Sequence, residues 1–123
     1  SIGYPFAGIK RLIDLVGPAY AKEILFTAHR FTAQEAYAMG LVNRVVPVDE
    51  LEEVVRTMAA TMADNAPLTL RSAKAIVAEA LKDPADRDLE LCDTLVKACM
   101  TSNDYVEGRR AFMEKRKPEF TGT

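Results

Sequence analysis

Apolar residues recur at helical spacing along most of the chain. After Gly8, positions Ile9, Leu12, Ile13 and Val16 share one face while Lys10, Arg11 and Asp14 point away. Gly17-Pro18 stops that helix and opens another, since proline is tolerated in a first turn. Ala21, Ile24, Leu25 and Ala28 are the contact positions of this second stretch. Thr32-Ala33-Gln34-Glu35 has the form of a capping box, which assigns Glu35 a structural role. Asp49 is placed to cap a helix whose stripe is Leu51, Val54, Val55, Met58 and Met62. Pro67 opens the next, with Leu70, Ala73, Val77 and Leu81 on its apolar face and Arg71 and Lys74 outward. Leu89, Cys92, Leu95, Val96, Cys99 and Met100 form a further stripe. Ser102 caps a last helix with Tyr105, Phe112 and Met113 near one side. Its end is Glu114-Lys115-Arg116-Lys117, cations that suit a helix C-terminus, and Pro118 stops it. Residues 119–123 read as a tail.

One stretch breaks this pattern. Gly40 supplies the left-handed residue that ends a helix. Leu41 to Val46 is β-branched and apolar around Asn43 and Arg44, as a short strand with one wet face would be. Pro47 has no N–H for a ladder. A single strand leaves its backbone groups without partners, so the expected fold is mainly α, with one or two short strands that need another segment to pair with.

Composition narrows the classes. The 123 residues are 49% hydrophobic and 28% charged, with net charge -2. That balance gives no electrostatic case for nucleic acid or an acidic membrane. No apolar run reaches the ~18 residues of a membrane span, and no signal peptide is visible. The chain opens on Ser1 rather than Met, so it is expected to be processed, tagged or cut from something longer. Cys92 and Cys99 are seven positions apart, roughly 10 Å along a helix, too far for a disulfide. Buried free thiols and a cytoplasmic location are expected. There is no CxxC and no His cluster for a metal. His29 is the single histidine, and it reads as a surface or capping residue.

The run Glu35 to Pro47 resembles the signature segment of the enoyl-CoA hydratase/isomerase (crotonase) family. Further family-like pieces follow the same order: Arg11-Leu12, Val16-Gly17, Ala21 to Thr27, Thr32-Ala33, Asn65-Ala66-Pro67, Lys74, Asp104-Tyr105, Glu107-Gly108, Ala111-Phe112, Glu114 to Pro118, and Phe120. The resemblance implies the C-terminal helical part of a crotonase-like α/β spiral fold. Residues 1–47 would be the end of the core region and residues 48–123 a helical assembly region. The oxyanion-hole N–H groups and the acidic catalytic side chains would lie upstream, so no catalytic residue is expected in this chain.

The same resemblance assigns Tyr4 and Pro5 to the wall of an acyl pocket, although Phe6 stands where a small residue is usual. It assigns Phe112 and Lys115 to the nucleotide end of coenzyme A, often in a neighbouring subunit's pocket. An aromatic face suits adenine and an ammonium suits a phosphate. Core packing for Phe112 and a solvated helix end for Lys115 remain open alternatives. The implied activity is hydration or double-bond shift of a CoA thioester through an enolate. The CoA ester is the substrate, without a metal or organic cofactor, in a homotrimer or hexamer. The alternative is a non-catalytic helical oligomerisation or interaction fragment.

Overall fold

A computed structural model of the chain describes residues 2–123. Among the described residues six helices carry the fold: α1 (Phe6–Thr27), α2 (Ala33–Ala38), α3 (Leu51–Ala63), α4 (Pro67–Ala80), α5 (Leu89–Met100) and α6 (Asn103–Glu114). Short 3₁₀ turns occupy Val48–Glu50 and Pro84–Asp86. The backbone divides into two compact units, Ser1–Leu51 and Glu52–Thr123.

In the first unit α1 is interrupted as the Gly17-Pro18 pair requires. Gly17 takes φ 77°, a left-handed conformation that L side chains avoid, and two helical arms meet there. Val16, Ala21 and Met39 bury together, and Leu12, Ile24 and Phe31 pack against them. The capping box at α2 is complete. Thr32 Oγ1 accepts the Glu35 N–H at 3.2 Å, and Glu35 Oε2 accepts the Thr32 N–H at 2.7 Å. The Thr32 backbone bond, joined by its hydroxyl, holds the Glu35 carboxyl below its usual range.

Gly40 ends α2 at φ 80°. The Gly40 N–H reaches Tyr37 O at 3.1 Å and the Leu41 N–H reaches Ala36 O at 2.8 Å, the paired bonds of a Schellman stop. The short strand expected over Leu41 to Val46 does not form, and no strand occurs among the described residues. The cause is the one anticipated from its isolation: nothing pairs with it, and an extended segment without a ladder is not a strand. Asp49 does not cap α3. It sits inside the 3₁₀ turn Val48–Glu50, which follows Pro47.

In the second unit α4 packs on α5, and α5 on α6. Glu79 clasps the α4–α5 connection by accepting the Asp88 N–H at 2.9 Å and Lys82 Nζ at 2.7 Å. The Asp88 bond, then Lys82, lowers the Glu79 pKa, and Glu79 raises that of Lys82. Arg87 closes the same corner by donating to the carbonyls of Ala80 and Lys82, both at 3.1 Å.

The apolar faces of α4 and α6 are left less covered than the sequence expectation has them, although Arg71 and Lys74 do point outward and Cys92, Leu95 and Cys99 of α5 are partly buried. In α4 the buried side chains are Ser72 and Glu79, whereas Leu70, Ala73, Val77 and Leu81 are exposed. In α6 Asp104 and Ala111 are buried, while Tyr105, Val106, Phe112 and Met113 face solvent. The stripes are real, but neighbouring helices of the same unit do not cover them.

The surface area carries the same message. A compact 13.6 kDa monomer exposes about 6,600 Å², and the same mass divided into two separate compact bodies about 7,900 Å². This chain exposes 10033 Å². The excess over even the divided case is larger than the ~800 Å² that each partner contributes to a standard protein interface.

Candidate functional site

The end of α6 is fixed by a polar clamp. Ser102 Oγ caps the helix by accepting the Tyr105 N–H at 3.0 Å. Asp104, 3% exposed, accepts the N–H groups of Thr121 at 2.7 Å and Gly122 at 2.9 Å. One turn on, Glu107 accepts the Glu119 N–H at 3.0 Å and the Arg116 guanidinium at 2.6 and 3.0 Å, with Arg110 as a further donor. Thr123 O in turn accepts the Asn103 N–H at 2.7 Å. Residues 119–123 are thus strapped along α6 rather than trailing from it. Arg116 foremost, then the Glu119 N–H and Arg110, holds the Glu107 carboxyl far below the usual carboxylate range. Glu107 and then Glu114 raise the Arg116 pKa.

Lys115 sits at the helix end that leads into this strap. Helix α6 ends at Glu114, and Lys115 takes φ 53°, ψ 40°. The Lys115 N–H reaches Phe112 O at 3.3 Å and the Arg116 N–H reaches Ala111 O at 3.0 Å, a second Schellman stop. A non-glycine residue in this region is uncommon. The stop therefore comes three residues before Pro118. The last turn of α6 itself holds no cation, and the basic run begins at the capping residue Lys115. Arg116 pairs with Glu107 and Glu114, and Lys117 pairs with Asp64 at 2.7 Å.

Phe112, one turn before Lys115, is 81% exposed. Core packing within this chain does not account for it. It lines an apolar groove of about 390 Å³ with Leu68, Met100, Tyr105, Arg109 and Phe120 among its walls. A larger recess of about 550 Å³ is lined by Asp104, Glu107, Arg110 and Arg116, whose charges already satisfy one another.

The four residues named from the sequence fall in two places. Tyr4 and Pro5 lie in the first unit, both exposed, with Pro5 O accepting the Gly8 and Ile9 N–H groups that start α1. Phe112 and Lys115 lie together at the end of α6. His29 is exposed, its ring meeting Phe31 edge-on at 5.0 Å. Cys92 and Cys99 are free, and only half-buried. Among the described residues no cluster of three or more His, Cys, Asp and Glu could hold a metal ion, and no helix is long and apolar enough to cross a membrane. The Asp104–Glu107 clamp escaped sequence reasoning. An acidic pair three residues apart at a helix start was the signal, but dipole stabilisation explains that equally well.

The enoyl-CoA hydratase/isomerase family model matches residues 2–123. The chain belongs to this family. Relatives include a crotonyl-CoA hydratase from Syntrophomonas wolfei, 38% identical over 115 residues, which are 94% of this chain and 44% of the relative. A methylmalonyl-CoA decarboxylase from Escherichia coli is 39% identical over 124 residues, 98% of this chain and 47% of that protein. The crystal structure of an enoyl-CoA hydratase from Bacillus anthracis superposes with a TM-score of 0.84 at 38% identity, covering 94% of this chain and 45% of the other. An enoyl-CoA hydratase/carnithine racemase from Magnetospirillum magneticum gives 0.85 at 36%, covering all of this chain and 45% of that one. The helical architecture is therefore that of part of an enoyl-CoA hydratase/isomerase subunit. This chain spans about half the length of the curated family members it matches, and a hydratase and a decarboxylase match it almost equally.

Proposed function

We propose that this chain is the C-terminal half of an acyl-CoA-processing subunit, most simply an enoyl-CoA hydratase or isomerase. In this reading, residues 1–47 close the catalytic core and residues 48–123 form the assembly region. The whole subunit stabilises a thioester enolate, using the CoA ester as substrate and no metal or organic cofactor. Phe112 stacks on the adenine of coenzyme A and Lys115 engages a phosphate. Tyr4 and Pro5 line the acyl pocket. The observation that carries this reading is the pair at the end of α6. An aromatic ring is left in solvent, and beside it the backbone takes an unfavourable conformation to present an ammonium. Base–aromatic stacking is worth ~1–3 kcal/mol to a complex that forms on such a ring.

Enolate chemistry next to a thioester needs oxyanion donors and an acid–base group. The family resemblance places both upstream, so the 123-residue chain by itself is expected to leave enoyl-CoA unhydrated. In the full-length protein, Lys115→Ala should raise the Kd for CoA with little change in turnover at saturating substrate. An unchanged Kd would remove Lys115 from the site.

The outward apolar faces of α4 and α6 favour a second role alongside the first. They are assembly surfaces, and the working particle is a homotrimer or hexamer. As an isolated piece, the chain would then be a non-catalytic oligomerisation fragment. The free thiols fit a reducing, cytoplasmic setting.

A further inference from the structure

Helix α6 stops earlier than its sequence asks. Glu114-Lys115-Arg116-Lys117 is a run of strong helix formers, and only Pro118 forbids continuation. Local preference carries the helix through Arg116, with Lys117 as its cap. In the structure α6 ends at Glu114, and Lys115 stands left-handed at φ 53°, ψ 40°, a costly conformation for a residue with a Cβ. Glycine is the usual occupant of such a stop.

The bonds of the early stop exclude those of a longer helix. The Arg116 N–H takes Ala111 O at 3.0 Å, whereas a continued helix would give it Phe112 O and would give the Lys117 N–H Met113 O. The Glu107–Arg116 ion pair is equally exclusive. It closes nine residues at 2.6 Å, and nine residues of unbroken helix would set the two backbone positions ~13 Å apart. The strap supplies the rest of the grip. Glu107 takes the Glu119 N–H, and Asp104 takes those of Thr121 and Gly122. The Phe120 ring lies against Gly108, its Cε1 3.5 Å from where a Cβ would stand, and Lys117 reaches Asp64 beyond the end of α3.

We infer that the end of α6 is a two-position device worked by the strap. With residues 119–123 docked, the helix stops at Glu114 and Lys115 is left-handed. With them lifted, the helix runs on through Arg116 and Lys115 turns right-handed. Sequence preference and tertiary grip oppose each other at the same few residues, and such local conflict is what gives one segment two settings. The change redirects Lys115, frees Arg116 from Glu107 and Lys117 from Asp64, and lifts Phe120 off Gly108. The strap thus decides which cations the tip of α6 presents.

The test is NMR on the full-length protein, reading the Lys115 backbone shifts and HN–Hα coupling together with amide exchange over residues 117–122. In the double variant Asp104→Asn/Glu107→Gln, Lys115 should move to right-handed helical values. The Lys117 amide should exchange more slowly while those of Thr121 and Gly122 exchange faster. Simple fraying of a strap speeds exchange at 121 and 122 and slows it nowhere, so slowing at Lys117 is the signature of a lengthened helix. Adding Lys115→Gly should shift the ratio of the two forms back toward the stop by roughly tenfold or more, because glycine is at ease left-handed and poor inside a helix. Glu107→Gln alone keeps the Asp104 bonds, and should move Lys115 part of the way even if the double variant does not fold. A folded variant in which residues 121 and 122 exchange freely while Lys115 stays left-handed, or becomes irregular with no slowing at Lys117, would overturn the inference.

Discussion

Asp104 offers the sharpest test of how the end of α6 is built. Its carboxylate is 3% exposed and takes two backbone N–H groups at 2.7 and 2.9 Å, with the Thr121 hydroxyl at 3.4 Å. Hydrogen bonds to a charged group contribute ~1.5–3 kcal/mol each. The two strong ones share one acceptor group, so a loss of about 3 kcal/mol in Asp104→Ala is a fair expectation rather than the full sum. The released N–H groups can reach water if the strap lifts, so the loss should appear locally and not as global unfolding. Amide hydrogen exchange reads this directly. At Thr121 and Gly122 exchange should accelerate roughly a hundredfold, the equivalent of that energy, while amides in the middle of α4 and α5 stay protected. Asp104→Asn retains one acceptor oxygen and should fall between. If Thr121 and Gly122 exchange at the parent rate in folded Asp104→Ala, the carboxylate does not hold the strap.

The Glu107 cluster makes a pH prediction. A depressed carboxylate pKa contributes stability that is complete above the unfolded value and is lost as pH falls through the folded one. The contribution of Glu107 to stability against urea should therefore stay constant down to about pH 4.3, the unfolded value, and decline below it. The decline should be shallower in Glu107→Gln, and parallel acid limbs would contradict the pairing. Lys115→Gly should separate backbone from ligand. Relief of the left-handed conformation should stabilise the fold by about 1 kcal/mol in denaturant titrations, while CoA affinity falls. A destabilised Lys115→Gly would show that the side chain packs where the structure leaves it free. The uncovered apolar faces predict self-association of the 123-residue chain, measurable by sedimentation. A monodisperse monomer at high concentration that binds no apolar dye would contradict it.

Local features of the fold were legible because their causes are local. Gly17-Pro18, the Thr32–Glu35 box and the Gly40 stop each act within a few residues, and each stands where the sequence places it. The helix stripes were legible as stripes but not as faces. Spacing shows that Leu70, Ala73, Val77 and Leu81 lie on one side of α4, and says nothing of what covers that side. Leu41 to Val46 carries strand-forming side chains, yet a strand is a property of two segments, and none pairs with it among the described residues. Of the site, Phe112 and Lys115 could be named through family resemblance, with packing and solvation left open. The exposure of the ring and the left-handed backbone needed coordinates. The clamp was hidden because Asp104 and Glu107 meet backbone N–H groups up to 18 residues away, and hydrophobic patterning carries no trace of such bonds.

Main-chain bonds of this kind shape how such a segment drifts over generations. Asp104 and Glu107 grip Glu119, Thr121 and Gly122 by main-chain N–H groups, and a main-chain grip is blind to most side-chain identities. Position 119 can therefore wander through the amino-acid alphabet, with proline shut out because it has no N–H to offer, whereas Thr121 adds its hydroxyl to the grip of Asp104. Gly122 is held more narrowly. Its φ of 78° lies in the left-handed region and argues for glycine. Lineages of this segment should keep two acids and one glycine while the letters between them blur, so its order would go unnoticed by anyone looking for a run of invariant residues.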